Sequence, residues 1–408
     1  MDEEQNKIAD EQQGSQLEEQ RSSQMPKEAP QLHQDNSDAT LADAYFEDRT
    51  VDEPTRKNNW LGTLFFGAVI VLSLLLMYQL SRNATEGNEK TLREILSNLN
   101  VNYFCLAVGA VILAIFIDSL KYFIIMHATV GSKNYVTALK VGLLGKYYDN
   151  ITPFSSGGQP FQMYYLHKKG LSGGQSTAVI FIKFCFNMLM WLAICFCLML
   201  FNRGALTTYV HSSVERNLFT VLGWVGFSFN LLIPLTIIAF VIFPKAMEMV
   251  TRWILTLGNK LRLVKSEDEI VLRAQRVAKD FRAAFVVMWK KPLHAVLLIV
   301  CCFAEPLITM MLPYFVVVAF VGNAVTPSLE LMLAIMTLHV YVSMSASVVP
   351  TPGNSGAMEN AFLLALTSVA EGVLFWTVFT WRFLSYYTYV IIGMIIVIAG
   401  FIRNRRTK

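Results

Sequence analysis

Two short polar stretches interrupt otherwise apolar sequence, and both hold residue types suited to gripping a charged group. The first, KYYDNITPFSSGGQPFQMYYLHKKG over 146–170, sets Asp149 and Asn150 ahead of Ser155, Ser156, Gly157, Gly158, Gln159 and Gln162. Hydroxyls and free N–H groups at a helix start suit a phosphate, because that end carries partial positive charge. The second, VPTPGNSGAMENAF over 349–362, sets Pro352, Gly353 and Asn354 ahead of Glu359. Its prolines and glycines forbid a continuous helix, Asn354 or Ser355 can cap the helix that follows, and Glu359 falls in that helix's first turn. There it either complements the helix dipole at the surface or, at membrane depth, faces a cavity. Asp149 and Glu359 are the pair of carboxylates available to hold an ammonium or to act as general acid and base.

The residues around the first stretch predict a half-helix to position it. Pro160 suits a first turn, where its missing N–H would be unpaired anyway. Lys168 and Lys169 complement the negative end, and Gly170 can adopt a left-handed cap. About ten residues at 1.5 Å each give about 15 Å, half a bilayer. Non-helical backbone at that depth is tolerated only where it packs in protein or lines a wet cavity. The alternative is a loop at the membrane surface.

The scaffold is a membrane one. Hydrophobic residues make up 54% and charged residues only 16% of the 408, far from the roughly 25% charged of a soluble domain. A bilayer needs about 20 apolar residues per helix, which predicts spans at 60–80, 101–126, 177–201, 218–243, 292–321 and 373–402. Two further stretches, 135–170 and 329–370, are cut near their middles by the polar motifs, so their halves are too short to span easily. The expected fold is therefore an all-α polytopic bundle of about six full spans plus two broken or re-entrant hairpins.

Charge sets the orientation. Of 34 basic and 30 acidic residues, 6 and 15 fall within 1–59, leaving 28 against 15 for the rest. The acidic tail 1–59 has too few apolar residues to offset its ordering entropy and is expected to be disordered. It is also too long and acidic to be the n-region of a cleaved signal, so the first span is expected to stay as an anchor. The segment 245–291 holds 11 Lys/Arg against 5 acids and the chain ends RNRRTK, which the positive-inside rule assigns to the cytoplasm together with the N-terminus. Its apolar residues recur at helical spacing, so 245–291 is expected to form basic amphipathic helices at the interface. With both termini inside, the two hairpins enter from opposite faces. That is the pattern of an inverted repeat with a site near the midplane, although the halves share no obvious sequence identity. The sharpest expectation is that Ser155, Ser156, Gly157, Gly158 and Gln159 face Pro352, Gly353, Asn354 and Glu359 across one polar cavity.

Other charges fall inside apolar spans. Asp118 and Lys121 lie three apart on one helix face and can pair, whereas Lys183, Glu305 and Arg382 have no partner within their own spans. These three either line a cavity or snorkel to an interface. All six cysteines sit in apolar runs, at no metal or disulfide spacing. No P-loop, dinucleotide fingerprint or His-rich ligand set occurs, so no cofactor, metal or nucleic-acid partner is expected.

With these residues placed, the chain resembles the lysylphosphatidylglycerol synthase transmembrane family, the flippase-like membrane domain of the multiple peptide resistance factors. YYDNITPFSSGGQPFQ is similar to that family's first signature, and PTPGNSGAMEN to its second, in the right order and covering roughly residue 60 to the end. Asn354 and Ser355 stand where the family more often has Gly and an aliphatic residue, while Glu359 is kept. Full-length synthases carry a soluble aminoacyltransferase domain after the membrane part, and this chain stops six residues beyond its last expected span. The resemblance thus implies a lipid translocase of the bacterial inner membrane, handling an aminoacylated or anionic phospholipid such as lysylphosphatidylglycerol, or a polyprenyl-phosphate-linked lipid. A membrane-embedded phosphatidylglycerol lysyltransferase is one alternative. An accessory subunit of a glycosyltransferase, docked through the acidic tail, is another. The expected partner is a membrane lipid; an enzyme partner and a homo-oligomer both stay open.

Overall fold

The computed structural model describes residues 92–243 and 290–406, with single positions at 75, 78, 249, 283 and 285–288. The tail 1–59, nearly all of the expected span 60–80 and most of the segment 245–291 lie outside the described residues. The described residues form twelve helices and no sheet. In order they are α1 (Leu92–Asn98), α2 (Val101–Val130), α3 (Tyr135–Ile151), α4 (Gly158–Lys168), α5 (Gly173–Phe201), α6 (Gly204–Tyr209), α7 (Ser213–Ile242), α8 (Pro292–Val321), α9 (Leu329–Ala346), α10 (Ala357–Leu366), α11 (Leu374–Arg382) and α12 (Thr388–Arg406). A π-helical turn, Phe383–Tyr387, joins the last two.

Polar side chains start these helices and thereby satisfy N–H groups that have no intrahelical acceptor. Asn134 accepts from the Thr137 N–H at 3.0 Å, Ser328 from the Leu331 N–H at 3.1 Å, and Ser172 forms a reciprocal box with Gln175. Gly131 and Gly322, at φ +69° and +63°, close α2 and α8.

Among the described residues, six helices are long and apolar enough to cross a membrane: Val101–Val130, Gly173–Phe201, Ser213–Ala239, Pro292–Val321, Leu329–Ala346 and Leu374–Gly400. Side chains such as Leu113, Phe116, Val221, Leu232 and Ile395 stay exposed on their outer faces. In a bundle solvated by lipid this carries no penalty. The chain is a multi-pass, all-helical membrane protein, with five of the expected spans in place. One expectation needs correction: α9, the first half of the second interrupted stretch, is not too short to span. Its 18 residues rise about 27 Å, close to the 30 Å core, because no breaker falls before Pro350.

The bundle is organised around α2 and α8, which run antiparallel. The Lys291 ammonium donates to Ala128 O at one end (2.7 Å), and the Asn100 N–H donates to Ala319 O at the other (2.9 Å). Each helix then leads into its own hairpin, α2 into α3–α4–α5 and α8 into α9–α10–α11. Each hairpin has its own apolar packing. Tyr122, Ile125, Val141, Leu166, Ile180 and Leu298 bury together around the first. Val317, Ile335, Leu338, Phe362, Leu366 and Trp381 do so around the second.

Candidate functional site

The first motif folds as its composition predicts, with one substitution of partner. α4 begins at Gly158 with Pro160 in its first turn and ends at Lys168, and Gly170 is left-handed at φ +93°. The anion at its start is the chain's own: Asp149 Oδ1 accepts from the Gly158 N–H at 2.8 Å, and Thr152 Oγ1 accepts from the Gly157 N–H at 2.9 Å. The N–H groups expected to be free for a phosphate are therefore partly engaged. Gly158 is needed here, since a Cβ would overlap the Asp149 carboxylate.

Below this loop, four helices enclose a polar cavity of about 150 Å³. It is lined by Asp118 and Tyr122 of α2, Gly142, Lys146 and Asp149 of α3, Gln159 and Gln162 of α4, and Ile180, Lys183, Phe184, Asn187 and Met188 of α5. A volume of this size takes a benzene-sized group or several waters, hence a lipid headgroup fragment but not an acyl chain.

The intramembrane charges that had no partner within their spans find them across helices. Asp118 Oδ1 faces the ammonium groups of Lys121 at 3.0 Å and Lys183 at 2.9 Å, as ion pairs rather than aligned hydrogen bonds. Lys121, fully buried, also donates to Glu305 Oε2 of α8 (3.3 Å) and Asn187 Oδ1 (2.5 Å). Lys183 lies over the Tyr122 ring, 4.9 Å from its centroid. Taking two charges out of water is costly unless geometry and further hydrogen bonds compensate, and Lys121 meets that requirement. Lys146 does not: among the described residues its one ion-pair neighbour, Glu305, is 4.0 Å away, and its side chain stays 38% exposed. It is the loosely held cation at the cavity. Gln162 closes the floor, donating to the Tyr122 hydroxyl (2.7 Å) and to Val141 O (3.0 Å).

The second motif meets the first, though not across this cavity. Pro153 and Pro352 pair as an isolated antiparallel bridge. Asn150 Nδ2 donates to Tyr386 O at 3.3 Å, and the Tyr386 hydroxyl donates to Asn150 O at 3.0 Å. Gly353 packs on the Tyr386 ring. Glu359, only 2% exposed, is neither at the surface nor among the cavity's lining residues. Its Oε2 accepts from the Gly356 N–H (2.7 Å) and its Oε1 from Arg382 Nε (2.6 Å). The expected side-chain cap from Asn354 or Ser355 is not made: Gly356 holds the N-cap position, and Glu359 reaches back to its N–H. The Arg382 Nη2 group donates to Gly353 O (2.7 Å) and Ser355 Oγ (3.2 Å), and the guanidinium lies over the Tyr386 ring.

Of the twelve motif residues singled out from sequence, Asp149, Gln159 and Gln162 line the cavity. Asn150, Pro352 and Gly353 make the junction of the two loops. Ser155 and Ser156 form the turn, with Ser156 Oγ donating to Pro153 O (3.0 Å), and Gly157 and Gly158 start α4. Sequence reasoning had left Lys146 and Asn187 out of the site. Their position facing Asp149 and Lys183 appears only once α3 and α5 pack together. Among the described residues no group of three His, Cys, Asp or Glu side chains converges as a metal set.

The loops also repeat each other. Thr152-Pro-Phe-Ser-Ser-Gly157 and Thr351-Pro-Gly-Asn-Ser-Gly356 share Thr-Pro-x-x-Ser-Gly, 199 residues apart. In each, the third and fourth residues have positive φ: Phe154 and Ser155 at +55° and +50°, Gly353 and Asn354 at +54° and +55°. In each, the Ser N–H donates to the Pro O, Ser156 to Pro153 at 3.3 Å and Ser355 to Pro352 at 3.1 Å, as in a type I′ turn. Each then opens a helix at its Gly. An antiparallel bridge between equivalent prolines, beside antiparallel α2 and α8, is what a local two-fold axis produces. The expected absence of sequence identity between the halves is thus corrected at this hexapeptide.

The described residues form a helical membrane bundle with a buried charge network beside a small polar cavity. Residues 59–393 match the family model for the lysylphosphatidylglycerol synthase TM region, and the chain belongs to that family. No curated protein and no solved structure matches it.

Proposed function

We propose that this protein is a lipid translocase that passes a phosphate-bearing headgroup through the cavity between α2, α3, α4 and α5 while the acyl chains stay in the bilayer. The observation that carries the proposal is the lining itself. Lys146 and Lys183 stand opposite Asp118 and Asp149 in one membrane-embedded cavity, and Lys146 is not committed to a close partner. Ionisable groups at such depth are costly and ordinarily serve a pathway. A cation with spare hydrogen-bonding capacity suits a phosphate, and Asp149 suits an ammonium.

The substrates that fit are anionic or aminoacylated phospholipids such as lysylphosphatidylglycerol, or a polyprenyl-phosphate-linked lipid. The proposed contacts in the cavity are Asp149, Gln159 and Gln162; Asn150, Ser155, Ser156, Gly157 and Gly158 belong to the adjoining loop, and Pro352, Gly353, Asn354 and Glu359 to the second loop bridged to it outside the cavity. The proposed setting is the bacterial inner membrane with both termini cytoplasmic.

The test is reconstitution of the full chain into vesicles holding a headgroup-labelled phosphatidylglycerol or its lysyl ester on one leaflet. Transfer to the other leaflet well above that of empty vesicles supports translocation. Formation of lysyl lipid from charged tRNA by the protein alone would instead make it a transferase.

A further inference from the structure

Extending the loop repeat into the helices that follow exposes a correspondence between charges. Arg382 follows Lys183 by the same 199 residues that separate the two Thr-Pro-x-x-Ser-Gly loops. Each is the cation that the helix after its hairpin, α5 or α11, presents towards the structure beneath its loop. Their surroundings differ. Lys183 lines an open cavity, with its partner Asp118 on α2. Arg382 is buried and sealed onto its own loop by Glu359, Gly353 O and Ser355 Oγ. A guanidinium suits carboxylate and phosphate oxygens alike, so the donors that Arg382 commits to these internal acceptors are ones a phosphate could take.

A second observation points the same way. Buried polar atoms are normally paired, and unpaired ones call for explanation. Asn354 Oδ1, in the loop between the two Arg382 acceptors Gly353 and Ser355, is buried with no hydrogen-bond partner among the described residues. π turns inside α-helices are frequent at functional positions, and α5, the counterpart helix, has none.

We infer that the Glu359–Arg382 pair is the closed form of a second phosphate-headgroup site, equivalent by the internal repeat to the open cavity around Lys183. Opening it swings Glu359 off Arg382, frees the guanidinium for a phosphate and gives Asn354 Oδ1 a water or headgroup hydroxyl partner. Because the loops are bridged at Pro153–Pro352 and tied through Asn150 and Tyr386, opening one side shifts the other, so the two sites serve the lipid in turn. This inference rests on the reading of the cavity as a lipid-headgroup site.

The experiment uses the full chain in phosphatidylcholine vesicles and follows modification at position 355, in a Ser355→Cys variant, by a water-soluble maleimide, resolved by peptide mass spectrometry. Ser355 is 3% exposed, so labelling with the pair intact is slow. Adding Glu359→Gln, which keeps an acceptor for the Gly356 N–H but drops the charge, is expected to speed labelling about tenfold. Arg382→Lys, which loses the bonds to Gly353 and Ser355, is expected to do the same. Short-chain phosphatidylglycerol should protect the Glu359→Gln protein, in which Arg382 is free, and neutral diacylglycerol should not. Unchanged labelling in both variants overturns the inference. So does a general rise in labelling with loss of the melting transition, which would make the pair a structural strut. If labelling opens as expected but the parent protein moves no lipid between leaflets, the translocase reading fails and the second phosphate site stands.

Discussion

Pro153 and Pro352 face each other as an antiparallel bridge, and each is the second residue of the same Thr-Pro-x-x-Ser-Gly turn. The repeat places Phe154 and Gly353 at equivalent left-handed positions, φ +55° and +54°. A bulky residue there is strained by about 1–2 kcal/mol, and glycine is not. Phe154→Gly should therefore leave the fold intact and raise the unfolding free energy in detergent by up to about 1 kcal/mol. Gly353→Phe should be far worse, because a Cβ at that position already overlaps the Tyr386 ring. Equal tolerance at both positions would contradict the packing of Gly353 on the Tyr386 ring.

Lys121 and Lys146 predict opposite outcomes from similar substitutions. Lys121→Met removes a buried cation from between Asp118, Glu305 and Asn187, and should cost about 3–5 kcal/mol. Adding Glu305→Leu should recover part of that loss, because the carboxylate is no longer left unpaired. Lys146→Gln should change stability by less than about 1 kcal/mol, since its one ion-pair neighbour among the described residues is 4.0 Å away and the group is partly exposed. Its transport of anionic lipid should nevertheless fall about tenfold or more. Chemical denaturation and vesicle transport on the same preparations check both halves.

Gly145 packs where a methyl group would collide with the Gln162 amide. Gly145→Ala should push Gln162 off the Tyr122 hydroxyl and Val141 O, costing about 1–3 kcal/mol as overpacking and narrowing the cavity floor. Gly109→Ala, with nothing within 4 Å of the new methyl, is the control and should be neutral or slightly stabilising. A thermal melt separates the two.

How much of this could be read in advance follows from the range over which each signal acts. Hydropathy and Pro/Gly breakers are local. They located 101–126, 177–201, 218–243, 292–321 and 373–402 and the ends of α4, including Gly170. They misjudged 329–346, where a short apolar half is still long enough to span. Partners across helices were invisible: Lys183 to Asp118, Lys121 to Glu305 and Arg382 to Glu359 depend on packing between segments far apart in the chain. So did the role of Asp149 as the cap of α4. The Thr-Pro-x-x-Ser-Gly repeat was present in the letters, but only matching φ signs and hydrogen bonds make six residues meaningful.

Orientation is a separate expectation, drawn from the basic count of 245–291. In intact cells, a thiol introduced by Asp268→Cys should resist a membrane-impermeant reagent and react only after permeabilisation. Reaction in intact cells would place that segment outside and invert the topology.

Entry of a lipid headgroup into the cavity beneath the first loop is the step on which the proposed translocation depends. It is tested most directly by photo-crosslinking a phosphatidylglycerol that carries a photoreactive headgroup to the full protein in vesicles, followed by peptide mapping. The account predicts adducts on Lys146, Asp149, Gln159 or Lys183, suppressed by excess unlabelled lipid and reduced in Lys146→Gln. Adducts confined to the outward faces of α7 and α12, unaffected by that substitution, would contradict it.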